Sequence, residues 1–110
     1  MEEKHAQFMQ AALHEAQQAA TIGEIPIGCV IVKDDQIIGR GFNYREHSNL
    51  ATDHAEIRAI QMANQALQSW RLEDCTLYVT LEPCPMCTGA ILNARIPEVY
   101  YAAADEKAGM

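Results

Sequence analysis

The chain lacks any stretch approaching the roughly 18 continuous apolar residues of a membrane span, which excludes a membrane-crossing helix on sequence grounds. It lacks a secretory start as well. Met1-Glu2-Glu3-Lys4-His5 is polar and acidic, and no apolar run follows it, so a cytoplasmic protein is expected. Basic residues are scarce: 8 Lys and Arg stand against 15 Asp and Glu, a formal net charge of −7. That balance argues against a strong nucleic-acid binder, because phosphate contacts need clustered cations. There is no internal repeat, low-complexity tract or linker, and 110 residues suit one domain, residues 1–110. Nor does the chain have the context for a disulfide framework. Its four cysteines, Cys29, Cys75, Cys84 and Cys87, are expected as reduced thiols.

What is present is enough apolar material for a core, 49% of residues, arranged in segments of alternating type. Residues 3–20 carry Met9, Ala12, Leu13, Ala16, Ala19 and Ala20 at helical spacing, and Gly23 is placed to end that helix. Ile27 to Val32 reads as a buried strand, Lys33 to Gln36 as a turn, and Ile37 to Phe42 as a second strand paired with the first in a hairpin. A polar loop runs from Asn43 to about Thr52. Ile57, Ile60, Ala63, Asn64 and Leu67 then mark one side of a second helix. Cys75 to Leu81 predicts a third strand, Pro85 to Asn93 a third helix, and Glu98 to Ala102 a fourth strand. The order α-β-β-α-β-α-β implies a layered α/β domain whose later strands are parallel. The final residues, Asp105 to Met110, read as a loop, and the domain is expected to be truncated after its fourth strand.

Two segments carry chemistry: His54-Ala55-Glu56 and Pro83-Cys84-Pro85-Met86-Cys87. Each is expected to open a helix. Asp53 is a candidate N-cap for the second helix, and Pro85 suits the first helical position of the third. Cys84 and Cys87, three apart, then share a face. Helix starts present positive dipole ends, which favour thiolates and a bound hydroxide. In an open α/β sheet they lie where ligand sites gather. His54, Cys84 and Cys87 would supply three ligands and leave a fourth tetrahedral position open for water, the pattern of a catalytic rather than a closed zinc site. Glu56 lies close enough to exchange a proton with that water without being a ligand.

Each piece has a plainer reading. Glu56 and Asp53 have the spacing of a capping box. A lone C-x-x-C also suits a redox pair or half of a structural zinc knot, and a lone His at a helix start is usually a satisfied polar group. The combination H-x-E with P-C-x-x-C is far rarer and is the recognised zinc deaminase signature. Elsewhere, Cys29 and Cys75 read as core, His5, His14 and His47 as surface residues, the methionines as core filler, and Trp70 and Arg71 as packing at the end of the second helix.

At these motifs the sequence resembles the cytidine deaminase-like superfamily. Beyond them it resembles the bacterial tRNA-specific adenosine deaminases, through Gly23-Glu24-Ile25-Pro26-Ile27-Gly28, Asp53-His54-Ala55-Glu56-Ile57, Ser69-Trp70-Arg71-Leu72, the run Leu77 to Cys84, and Asp105, Lys107 and Gly109. The resemblance implies a three-layer α/β/α domain with a mixed sheet. It implies one Zn2+ per chain, held by His54, Cys84 and Cys87, with Glu56 as proton shuttle. The implied reaction is hydrolysis of the wobble adenosine of a tRNA anticodon to inosine, a zinc-activated hydroxide attacking C6 of the flipped base and ammonia leaving. Asn43 matches a residue that contacts the nucleoside, and Ala55, Pro83 and Cys84 match the lining of the base pocket. Asp105 matches a residue near the neighbouring ribose, where a 2′-OH contact would favour RNA. Family members are homodimers. Ala102 and Met110 depart from the pattern, which has Gly and usually Ala there. The family also continues with a helix, a fifth strand and a basic terminal helix, which would account for the acidic balance of this chain.

Two other readings stand beside this one. A free-base deaminase acting on guanine or cytosine shares the Pro83 to Cys87 wording, and an acidic surface suits a small neutral substrate. A non-catalytic module, stabilised by zinc alone, would use the same ligands.

Overall fold

The computed structural model describes residues 3–104. The elements are α1 (Glu3–Thr21), β1 (Gly28–Lys33), β2 (Gln36–Phe42), α2 (Arg45–Ser48), α3 (Ala55–Leu67), β3 (Thr76–Leu81), α4 (Pro85–Asn93) and β4 (Glu98–Ala103). The sheet order is β2-β1-β3-β4. β1 runs antiparallel to both β2 and β3, whereas β3 and β4 are parallel and joined through α4. The sheet is therefore mixed, and the expected parallel pairing falls on the last two strands.

Alternation along the buried strands divides the core between two faces. Cys29 and Ile31 of β1, with Leu77 and Val79 of β3, face a cluster containing Ala55, Ala59, Ala63 and Ile91 of α3 and α4. Val30, Val32 and Tyr78 point the other way, against Phe8, Met9 and Ala12 of α1. That makes three layers: α1, the sheet, then α3 with α4. The β1–β2 turn is Asp34-Asp35, both at positive φ, the geometry whose twist matches a hairpin.

The approach of α3 to the sheet fixes the later site. At Gly39 of β2 a Cβ would lie 2.3 Å from the Ala59 carbonyl oxygen, and at Gly41 a Cβ would lie 2.6 Å from that of Ala55. Two bare positions on β2, facing the alanines of α3, let the helix backbone lie directly on the strand. The buried face of α3 is accordingly Ala55, Glu56, Ala59, Ile60 and Ala63, rotated from the stripe Ile57, Ile60, Ala63, Asn64 and Leu67 expected from sequence. Asn64 does something else: its amide donates to the carbonyls of Ser69 and Trp70, at 3.0 and 3.2 Å, tying down the helix exit.

Other expectations are corrected. Leu13 and Ala20 lie outside the buried stripe of α1, where Phe8 and Glu15 stand instead. Trp70 packs with Arg71 at the end of α3 as expected, but at the surface. It is exposed, with the guanidinium groups of Arg71 and Arg95 over its ring. Met9 is core, but Met62 is exposed. The loop after Asn43 contains the single turn α2, whose amides are held by a residue distant in sequence. The buried Glu24 carboxylate accepts from the backbone N–H of Glu46 at 3.3 Å and of His47 at 2.9 Å, and faces the His47 ring at 2.5 Å. Glu24 follows Gly23, whose φ of +80° closes α1 as expected.

Candidate metal centre

His54 and Cys84 occupy equivalent places. Each is the N-cap residue of a helix, in extended backbone, and neither side chain caps its helix. An N-cap without a side-chain acceptor forgoes about 1 kcal/mol of helix stability, so both donors stand where another residue type would serve the helix better. Pro85 takes the first position of α4, as expected. Asp53 is not a cap: its carboxylate meets Arg58 at 3.3 Å. The capping box therefore fails by one residue, because α3 begins at Ala55 with His54 in front of it.

The two helix starts bring three donors together. Nδ1 of His54 lies 3.7 Å from Sγ of Cys84 and 3.5 Å from Sγ of Cys87, and all three ligand atoms lie within 4.8 Å of one another. A zinc ion about 2.3 Å from sulfur and about 2.0–2.1 Å from nitrogen, at a tetrahedral angle, needs S···N separations of roughly 3.5 Å. The donors fit one zinc ion in chemistry and in spacing. Among the described residues this is the metal-ligand cluster found, and it has three members. Cys29 and Cys75 are buried and belong to the core.

Glu56 lies two residues past His54 and is 4% exposed. Burial raises its carboxyl pKa, against the hydrogen bonds of its own backbone N–H and the Cys87 thiol. A carboxyl held upward of its usual range is better matched to proton transfer near neutrality. His54 is shifted down, first by desolvation and then by the charge of Arg45, against the opposing effect of Asp53. The neutral imidazole that a metal requires is thereby favoured. Burial, with the nearby charges of Glu56 and Cys84, pushes the Cys87 thiol well up, so metal uptake must displace its proton.

Beside the donors lies a cavity of about 70 Å³ lined by Ile25, Ile27, Asn43, Arg45, His54, Ala55 and Glu56. Asn43 and Ala55, expected at the site, are both in its wall. Asn43 is buried; its Oδ1 accepts from the Arg45 backbone N–H at 3.5 Å. Pro83 is buried next to Cys84 but does not line the cavity. Asp105 lies outside the described residues. Arg45, Ile25 and Ile27 as wall residues, and Glu24 as the anchor of α2, were not foreseen from the sequence. Only Glu24 left a signal, a lone acid inside the otherwise apolar Ile22 to Ile27 stretch. A much larger hollow, about 680 Å³, lies between α1, β2 and α3 and has Glu15, Arg40, Tyr44 and Arg58 in its wall. None of the three donors lines it.

The pattern of the cytidine and deoxycytidylate deaminase zinc-binding region matches residues 2–103. The chain belongs to this deaminase family. Within it, the chain falls among the tRNA-specific adenosine deaminases. The enzyme of that description from Streptococcus pyogenes serotype M18 is 58% identical over 107 residues, covering 97% of this chain and 67% of the relative. A solved structure from a study of A-to-I editing by tRNA:A34 deaminases superposes with a TM-score of 0.92 at 49% identity, over 94% of this chain and 75% of that one. Guanine deaminase from Bacillus subtilis superposes at 0.86 and 45% identity, over 94% and 66%. The chain spans about two thirds of the length of the bacterial curated relatives it matches. No helix among the described residues is long and apolar enough to cross a membrane.

Proposed function

We propose that the chain is a single deaminase domain that hydrolyses adenosine to inosine, with release of ammonia, at the wobble position of a tRNA anticodon. The observation that carries the chemistry is the triangle of His54, Cys84 and Cys87 at two helix starts, with the buried Glu56 beside it. The substrate rests on the tRNA-specific relatives. His54, Cys84 and Cys87 would hold zinc, which when bound brings the pKa of water from about 15.7 toward about 7. Glu56 accepts the proton that the attacking water gives up and returns it to the departing amino group. Asn43 hydrogen-bonds the target nucleoside, the Ala55 and Pro83 backbones bound the base, and Asp105 meets the neighbouring ribose 2′-OH. Zinc, tRNA and a second copy of the chain are the partners of this reading, and the cytoplasm is its place.

A free-base deaminase is the second reading, favoured by the likeness to guanine deaminase. The test starts from a preparation whose zinc content is established by elemental analysis. It is incubated with an anticodon stem-loop carrying a wobble adenosine and, separately, with guanine, cytosine and cytidine. Exchange of NH2 for OH moves a product by about one mass unit. Inosine in the RNA alone is expected. Turnover of a free base alone replaces this reading with the second, and silence on every substrate with zinc bound leaves a purely structural metal.

A further inference from the structure

Arg45 stands apart from the other arginines of this chain. Of five arginines, Arg40, Arg58 and Arg71 face carboxylates and Arg95 faces carbonyls at the end of α4. The Arg45 guanidinium has no ion pair or hydrogen bond among the described residues, although the protein carries a surplus of seven negative charges. It is half-buried and lines the cavity that holds His54 and Glu56. Three carboxylates around that cavity are occupied. Glu24 takes the amides and ring of α2, Asp53 takes Arg58, and Glu56 takes its own backbone N–H and the Cys87 thiol. A planar five-donor cation at the edge of a reaction cavity, with no carboxylate paired to it among the described residues, is matched to an anion brought from outside, and phosphate fits its fork bidentately.

We propose that Arg45 is a specificity-determining residue that binds a backbone phosphate flanking the target nucleotide, so that the site selects a phosphate-linked base over a free one. This rests on the deaminase reading above and narrows its substrate class. The backbone places Arg45 well for it: Asn43, two residues earlier, is in the same cavity wall, and Glu24 anchors α2, the turn that Arg45 opens.

The test uses the zinc-loaded chain with Arg45→Gln and Arg45→Lys. The substrates are an anticodon stem-loop and the same RNA with neutral methylphosphonate linkages on either side of the target adenosine. On ordinary RNA, Arg45→Gln is expected to lower kcat/KM roughly tenfold or more, the scale of a hydrogen bond to a charged group, with the loss in KM. Arg45→Lys should recover part of it. One neutral linkage should reduce the unsubstituted chain to the level of Arg45→Gln, and should cost Arg45→Gln nothing further. In RNA binding, Arg45→Gln should flatten the slope of log K against log salt by roughly 0.7, the share of one single-strand phosphate. Equal losses for Arg45→Gln on charged and neutral linkages, or a loss confined to kcat, would overturn the proposal. If the unsubstituted chain makes no inosine in any RNA, the functional reading fails by itself. Arg45 is then judged by binding alone, where an unchanged salt slope overturns it.

Discussion

Glu56 is a carboxyl kept where a carboxyl is least comfortable, buried at the start of a helix. Burial raises its pKa in the folded chain. The folded state therefore binds its proton more tightly than the unfolded one. In the metal-free protein its contribution to stability is present below the unfolded value and lost as pH rises through the folded value. Glu56→Gln removes that dependence. The metal-free variant is expected to be more stable than the parent at pH 7, by urea titration, and to lose the acid-to-neutral decline in stability. Loaded with zinc, the same variant should keep its metal but deaminate at least about a hundredfold more slowly, the usual share of a positioned acid–base group. Loss of the metal along with activity would instead make Glu56 a structural support.

At the scale of elements, the site depends on how closely α3 can lie on β2. Gly39→Ala puts a methyl group against the Ala59 carbonyl oxygen. Overpacking of this kind is expected to destabilise by about 1–3 kcal/mol and to weaken zinc binding, because His54 moves with the helix. Denaturation and metal titration of the one variant read both effects. The second dependency is Glu24. Burial pushes its carboxyl pKa up, but the hydrogen bonds from His47 and Glu46 outweigh that and hold it below its usual value. A depressed carboxylate stabilises above its unfolded pKa and stops doing so as pH falls through the folded one. The amides of Glu46 and His47 should accordingly lose hydrogen-exchange protection on acidification, and Glu24→Gln should weaken it already at neutral pH.

Much of this organisation was legible in the residues, and the gaps have physical causes. Helix and strand periods differ enough that the seven main segments, from α1 to β4, could be located along the chain. His54, Cys84 and Cys87 were legible because few residue types ligate zinc and their spacing suits two helix starts. What stayed hidden was non-local. Asp53 has the composition of a cap, yet Arg58 claims it. α2 is too short for any periodicity and is held from Glu24, more than twenty residues away. The buried face of α3 turned toward alanines because glycines on another element admit them, a fact invisible in the sequence of α3 itself. Trp70 and Arg71 pack together at the end of α3 as their place suggests, but the part of Arg95, from a distant turn, left no sign in that stretch.

For the whole molecule, the metal is a large part of what the fold can gain beyond its apolar core. The chain buries Ile31, Leu72, Leu77, Val30 and Val79 almost completely, whereas β4 is exposed along most of its length. Ligand binding to the folded state alone adds about 2.7 kcal/mol when free ligand stands a hundredfold above its Kd. At this size that corresponds to a rise in Tm of roughly 10 °C or more. Chelation is expected to lower Tm by that order and re-addition of zinc to restore it, by calorimetry. A Tm indifferent to chelator would mean that the donors hold their geometry unaided. Zinc uptake should also release protons, since the Cys87 thiol is protonated at neutral pH without it. Apparent affinity should therefore rise with pH, as titration calorimetry in buffers of different ionisation enthalpy would read.

His54 and Cys84 are thirty residues apart, and each stands at a helix start with no side chain of its own to finish it. An ion gripping both is a removable cross-link. It closes a loop that contains α3, the Trp70 turn and β3, and such closures restrict the unfolded chain more as the loop lengthens. Unlike a disulfide it responds to the supply of an ion rather than to an oxidant. When it goes, α3 and α4 should fray from the same end at once. A cell short of zinc would then hold not an idle enzyme but a partly opened one, ready for proteolysis before it is ready for substrate.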